Sequence, residues 1–393
     1  MTPSSARGLR VIALSACAAG GLLWVTNREP EPHGPHTAID RTDAAAPRSI
    51  AGPPQFGNEP VPLPADFGGD YGRSARTISA DEARAHFAIG AELLNLGDYY
   101  TAASHLAIAR DGLGDQAAVC QMLAITYDRL NMASDLLDVM PCLEDAADES
   151  EAAARLYNRL AKQLDVEVEF QAAASDHFVA SFPVSGTSSE EIGPVLDLLE
   201  RARDRVRRDL GLGSMRLVPV VVYGHGQFEA ATDKPHWVSG LYDGKIRMSI
   251  ETYRNQPDFF ETALTHEYVH ALTHEYTGTR LPSWFREGLA DGLARNGADR
   301  AIHYQPHPEV GRILGIDELN SSFMGLPEHL ARAAYRQSHA MALGLVRESG
   351  WDALHDLILD LHDDRALSFD EAFYGLFGET PADYLDRWYT TTR

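Results

Sequence analysis

The feature that most restricts this chain is His266-Glu267-Tyr268-Val269-His270, set in a run from Phe259 to Tyr276 that lacks proline and glycine and has helical periodicity. On an α-helix, positions i and i+4 share a face about 6 Å apart along the axis, so both imidazoles reach one ion. Glu267 projects about 100° away around that helix, where it touches water beside the ion without ligating the ion itself. A third ligand is expected from Leu281-Pro282-Ser283-Trp284-Phe285-Arg286-Glu287-Gly288-Leu289-Ala290-Asp291. Its early proline and apolar spacing predict a second helix, packed antiparallel after the Thr277-Gly278-Thr279 turn. Glu287, 17 residues beyond His270, would then return its carboxylate to the same ion. Two histidines and one carboxylate leave an open fourth position, the catalytic arrangement for zinc, so Zn2+ is the expected cofactor. Asp291, one helical turn beyond Glu287, is placed to accept a hydrogen bond from the free ring nitrogen of a ligand, expected to be His266. The alternative for Asp291 is a solvated or capping carboxylate.

The segments before this motif have different periods. From about Ser79 to Leu164 apolar residues recur at spacings of three and four, which predicts helices. Around Ala83 to Gly114 the pattern resembles a tetratricopeptide repeat. Gly90 and Leu93 fall in a first helix, Gly97-Asp98-Tyr99 makes the turn, and Ala102, Leu106 and Ala109 fall in a second. Small residues at Gly90 and Ala102 let the two helices approach closely. A further pair around Gln116 to Leu143 keeps the length and loses most of the signature. This array, over 77–170, either offers a surface to a protein partner or is a plain helical spacer. From Asp176 the pattern changes: His177 to Phe182 and Leu217 to Tyr223 read as strands, and Glu190 to Leu210 as an amphipathic helix. Residues 239–242 and 245–249 flank Asp243-Gly244, a hairpin signal. From about Pro327 to Trp388 several helices are expected. The fold class is therefore α+β.

The first 26 residues have the layout of an export signal: Arg7 and Arg10, then an apolar run from Val11 to Val25. Leu14-Ser15-Ala16-Cys17 resembles a lipobox, which would place a lipid on Cys17, although the apolar run continues beyond it. The other reading is an uncleaved anchor helix, short for a membrane span. Either places the bulk of the protein outside the cytoplasm, tethered to the membrane through its N-terminus. Nine of the 21 prolines fall between Pro30 and Pro64, so 27–76 reads as a linker that cannot bury a core. Cys120 and Cys142 are then a pair in an oxidising compartment, either bridged or left as two buried thiols. The thiols are the expectation here, because sequence does not show the separation of the two residues. The formal net charge of -23, from 34 Lys+Arg against 57 Asp+Glu, repels phosphate backbones and excludes nucleic acid as an expected partner.

With these residues in place, the chain resembles the gluzincin metallopeptidases, whose pattern is H-E-x-x-H followed by E-x-x-x-D. More widely it resembles the bacterial peptidase MA-like proteins, which often carry tetratricopeptide repeats. The resemblance lies at His177-Phe178, Trp237 to Gly244, His266 to His270 and Leu281-Pro282-x-Trp284 to Ala290, and runs from roughly Asp176 to Trp388. It implies a thermolysin-like, zincin-like catalytic domain over 176–393, with a small mixed sheet, an active-site helix and a C-terminal helical part. It also implies hydrolysis of a peptide or protein substrate, with Glu267 as general base and Leu241 to Ser249 as the edge strand that aligns an extended peptide. Such enzymes add a Tyr or His that donates to the developing oxyanion. Tyr335 matches a downstream tyrosine motif of the family, and His339 follows one turn later, with helix packing as the alternative for both. Arg286 departs from the family, where asparagine usually precedes the glutamate; the departure bears on substrate orientation, not metal binding.

Other histidines weigh less. His274 continues the face of His266 and His270, but 266 to 274 spans about 12 Å of helix, so it is expected as a surface or packing residue. His303 and His307 fall in a proline-containing loop, and His236 precedes Trp237 near the expected cleft. The leading expectation is a zinc metallopeptidase. Its competitors are a tetratricopeptide-based binding protein whose peptidase-like half is weakly active, and a zinc hydrolase of a non-peptide amide.

Overall fold

The structure, a computed structural model, describes residues 78–167, 169–232, 240–295 and 304–392. The export signal with Cys17, the proline-rich linker, His236-Trp237 and His303 lie outside the described residues.

Five helices come first: α1 (Ala80–Asn95), α2 (Tyr99–Leu113), α3 (Ala117–Arg129), α4 (Ala133–Ala147) and α5 (Glu151–Glu167). Ser79 caps α1 by accepting the Glu82 amide at 3.2 Å. Gly97 turns the chain into α2 with φ 79°. The expected close approach is present: a Cβ on Gly90 would sit 2.7 Å from Leu106 Cγ, and Ala102 is fully buried. Leu106, Leu123, Leu136, Leu143 and Leu160 form the array's own core. One expectation is corrected here. Cys120 and Cys142 are joined in a disulfide, because α3 and α4 are packed neighbours that bring the two Cα atoms to 6.1 Å.

A five-stranded mixed sheet follows, made of β1 (Phe170–Ala174), β2 (Phe178–Pro183), β3 (Val218–Tyr223), β4 (Gly240–Tyr242) and β5 (Ile246–Ser249). The strand order is β1-β2-β3-β5-β4, with β2, β3 and β5 parallel and the two edges antiparallel to their neighbours. Helix α6 (Ser189–Leu210) crosses from β2 to β3, and α7 (Gln227–Thr232) lies between β3 and β4. Strand β1 falls between the two units expected from sequence, so the sheet begins at Phe170 and not after Asp176. Its Phe-Gln-Ala-Ala-Ala has no β-branched residue and is mostly exposed, so it is a strand because it pairs with β2. The hairpin around Asp243-Gly244 is present, with Gly244 at φ 106°. Of its two strands only β4 is the edge; β5 is interior.

Side-chain alternation gives this sheet two buried faces. Phe178, Ala180, Val220, Val222, Ile246 and Met248 join the large core with α6. Val221, Tyr223 and Leu241 form a second, smaller cluster with Phe228, and Val166 of α5 packs against it. The helical array therefore covers the second face of the sheet.

The remaining helices are α8 (Ile250–Asn255), α9 (Pro257–Thr277), α10 (Ser283–Ala294), α11 (Ile316–Asn320), α12 (Glu328–Asp363), α13 (Phe369–Phe377) and α14 (Pro381–Thr392). Gly350, at φ 79°, divides α12 into two helical stretches. Helix α9 is buried without interruption from Ala263 to Thr273, between the sheet, α6, α10 and α12. Such a helix belongs to the middle of a core, not to its surface.

The disulfide closes a loop of sequence separation 22 inside the array. Replacing both cysteines with serine is expected to cost about 2–4 kcal/mol of unfolding free energy, read from denaturant titration. A loss below about 0.5 kcal/mol would show that the bridge does not restrain the unfolded chain.

Candidate metal centre

The three expected ligand side chains meet. His266 Nε2 and His270 Nε2, one turn apart on α9, are 2.9 Å from each other. Glu287 Oε2, delivered by α10, is 3.4 Å from the first and 3.3 Å from the second. A divalent ion holding nitrogen and oxygen donors tetrahedrally at 2.0–2.1 Å sets its ligand atoms about 3.3 Å apart. The triangle has that size.

Burial sharpens the point. His266 is 0%, His270 2% and Glu287 2% exposed. Glu287 Oε2 and His270 Nδ1 are buried with no hydrogen-bond partner among the described residues. Orphaned polar atoms at this depth cost about 1–3 kcal/mol each, and a cation in the triangle removes that cost for the carboxylate oxygen. The residues present fit a divalent metal.

Their supports are equally specific. Asp291 Oδ1 lies 3.1 Å from His266 Nδ1 and accepts its hydrogen bond, which would aim the Nε2 lone pair at the triangle once a metal displaces the Nε2 proton. The alternative reading of Asp291 as a solvated or capping group is thereby set aside. Arg286 reaches the other oxygen of Glu287 at 3.3 Å. Gly288 has a packing role: a Cβ there would collide with the Ser338 carbonyl oxygen of α12. Without a side chain at Gly288, α10 lies close enough to α12 to seat Glu287 on α9.

Charge divides unevenly over the cluster. Burial opposes a proton on His266, but Asp291 and Glu287 outweigh it and push its pKa up to about 10. Burial pushes His270 down to about 4. Burial would raise Glu287, yet His270, His266 and Arg286 hold it well below the usual carboxylate range. Asp291 is also lowered, burial being outweighed by His266. Two ionised carboxylates beside a neutral His270, with a His266 whose extra proton a metal would displace, form a site that favours a cation.

Glu267 stands next to the triangle and is fully buried. Its Cγ would be 3.2 Å from a Cβ on Gly240, so the carboxylate sits beneath edge strand β4. Burial, helped by the nearby Glu287, pushes its pKa up to about 8 against the opposing pull of His266 and the Tyr242 amide. Tyr335 on α12 feels the charges of Glu287, Asp291 and Glu267, while burial raises its phenol well above the usual range and keeps it protonated. Its ring packs edge-on against Phe323 at 5.2 Å. His339 lies close enough to Asp291 to contribute to its lowering.

The other histidines are placed elsewhere. His274 is no surface residue: its Nε2 is 2.8 Å from the Tyr99 hydroxyl, and its ring contacts Tyr99 and Tyr242 at 5.4 and 5.8 Å. His307 serves its own turn, its Nδ1 accepting the Glu309 amide at 3.4 Å. Sequence reasoning passed over Gly240 and Gly288. The signal was available for Gly288, since a glycine inside a helical pattern marks close packing.

No protein-family model matches the chain, and no curated protein matches it.

The raised pKa of Glu267 has a consequence for the metal-free protein. Below pH 4.5 folded and unfolded chains both hold the proton, and between 4.5 and about 8 unfolding releases it. Stability contributed by this group is therefore lost as pH rises across that window. Metal-free Glu267→Gln should gain on the wild type by on the order of a few kcal/mol between pH 5 and pH 8, measured by thermal unfolding. A difference that stays flat with pH would contradict the assignment.

Proposed function

We propose that this chain is a zinc-dependent metallopeptidase of the gluzincin type, with a zincin-like catalytic unit and tetratricopeptide-like helical hairpins, acting on a polypeptide of the cell envelope. The observation that carries the reading is the triangle of His266, His270 and Glu287 with Glu267 buried beside it. His266, His270 and Glu287 would hold the metal, and Asp291 fixes the ring of His266. A bound zinc supplies a Lewis acid that polarises a carbonyl oxygen and lowers the pKa of water.

The chain's own residues supply the rest. Glu267, buried beside the triangle, takes a proton from the attacking water, a role that needs the carboxylate form that a bound cation would favour. The water oxygen bonds to the carbonyl carbon, the carbon–nitrogen bond breaks, and Glu267 returns the proton to the departing amine. Among the described residues strand β4 ends the sheet, and on this reading its outer edge pairs with an extended substrate beside Glu267. Tyr335 is assigned as donor to the developing oxyanion, a role that needs the protonated phenol its surroundings favour. Arg286 spends its charge on Glu287, which supports metal binding and leaves substrate orientation to other groups.

The Cys120–Cys142 bridge suits an oxidising compartment, in keeping with the export signal and membrane tether read at the N-terminus. Among the described residues no helix is long and apolar enough to cross a membrane.

Purified protein should carry one zinc and cleave members of a peptide library, with chelation abolishing cleavage. Glu267→Gln should keep the zinc and lose about 10²–10⁴-fold in kcat. Tyr335→Phe should lose about 10²-fold, mainly in kcat. Zinc-loaded wild type that cleaves no peptide would refute the peptidase reading and favour either the binding role or a non-peptide amide.

A further inference from the structure

Strand β5 and the residue just before it place two cations on the face turned away from the main core. Lys245 and Arg247 are each 1% exposed, although their neighbours Ile246 and Met248 are core residues of the opposite face. Their partners come from the helical array. Asp128 of α3, itself 1% exposed, lies 3.2 Å from Lys245 Nζ and 3.4 Å from Arg247 Nη2. Glu167 of α5 accepts from Arg247 Nη1 at 3.0 Å, and Gln163 of α5 accepts from Arg247 Nη2 at 2.8 Å. Asn131, after α3, accepts from Lys245 at 3.1 Å. The hairpin turn is held too, since Asp243 accepts from Arg247 Nε at 3.0 Å and pairs with Arg129 of α3 at 3.4 Å.

An apolar interface would glue the array to the sheet in many registers. A desolvated ionic one holds only where every charge finds its partner, because a buried charge left unpaired is strongly destabilising. In the antiparallel ladder Arg247 stands opposite Leu241, and Gly240, the next residue of β4, abuts Glu267. The position of the open edge strand over the general base is thus set from the array side.

We propose that the helical array is a positioning element of the active site, and that Arg247, through Asp128 and Glu167, is the positioning residue that sets β4 to receive an extended peptide. The kinetic part rests on the peptidase reading; the structural part does not. On this account the array's sheet-facing helices α3 and α5 are engaged by the chain's own hairpin, not held free for a partner.

The test uses the full chain as Arg247→Met, Arg247→Lys and the isosteric Asp243→Asn, the last kept in case loss of the guanidinium prevents folding. Backbone amides of residues 240–249 should exchange with deuterium about 10-fold faster in Arg247→Met and Asp243→Asn, while α9 and α6 keep their protection and zinc content stays at one. For peptides long enough to span the edge strand, KM should rise about 10-fold with kcat changed less than about threefold, and Arg247→Lys should recover part of the loss. Unchanged exchange at 240–249 in a folded variant, or a loss confined to kcat, would overturn the proposal. If the wild type cleaves no peptide, the peptidase reading falls and the exchange measurement alone decides the positioning.

Discussion

Burying ionisable groups in the middle of a helix imposes the strictest condition on this structure. Helix α9 is surrounded from Ala263 to Thr273, and that stretch includes His266, Glu267 and His270. Groups so buried must be paired, bound to a cation or neutralised. Pairing, a cation-sized triangle and a raised proton affinity lie within a few ångströms of one another. His266 is tied to Asp291, the inner atoms of His266, His270 and Glu287 face one another at cation-sized separations, and Glu267 has a proton affinity raised towards neutrality. The neighbouring architecture serves this condition: α10 returns Glu287 and Asp291 together, and Gly288 lets α12 close over them.

The second constraint is the sheet with two buried faces. Strands with alternate residues on opposite sides bury one set against α6 and must cover the other set as well. Here the cover is the helical array, through Tyr223, Leu241 and the ionic contacts of Lys245 and Arg247. The array and the unit that holds the metal-ligand triangle are therefore joined through the hairpin that ends beside Glu267. This arrangement ties the position of edge strand β4 to contacts made by residues more than a hundred positions away in sequence, such as Asp128 with Arg247.

What was legible in sequence was local. His266 and His270 were readable because helical period alone puts i and i+4 together, and Asp291 because it lies one turn from Glu287. Val218 to Tyr223 was readable from β-branched residues, and the hairpin from Asp243-Gly244. Elements that depend on distant partners were not readable. Strand β1 lacks intrinsic preference and exists through β2. The disulfide required the spacing of α3 and α4. For His274, read as a surface or packing residue, the choice of packing depends on Tyr99 at the start of α2, a distant partner. Lys245 and Arg247 gave one unused hint, two charges alternating with the apolar Ile246 and Met248 at the start of a strand, a pattern that in a buried strand demands counter-ions.

The central claim is that three named side chains form one metal centre. Zinc K-edge X-ray absorption on the purified, zinc-loaded protein tests it directly. The account predicts a first shell of nitrogen and oxygen only, at about 2.0–2.1 Å, with the outer-shell signature of two imidazoles. A sulfur shell at about 2.3 Å, or a first shell without imidazole, would place the metal elsewhere and contradict the assignment.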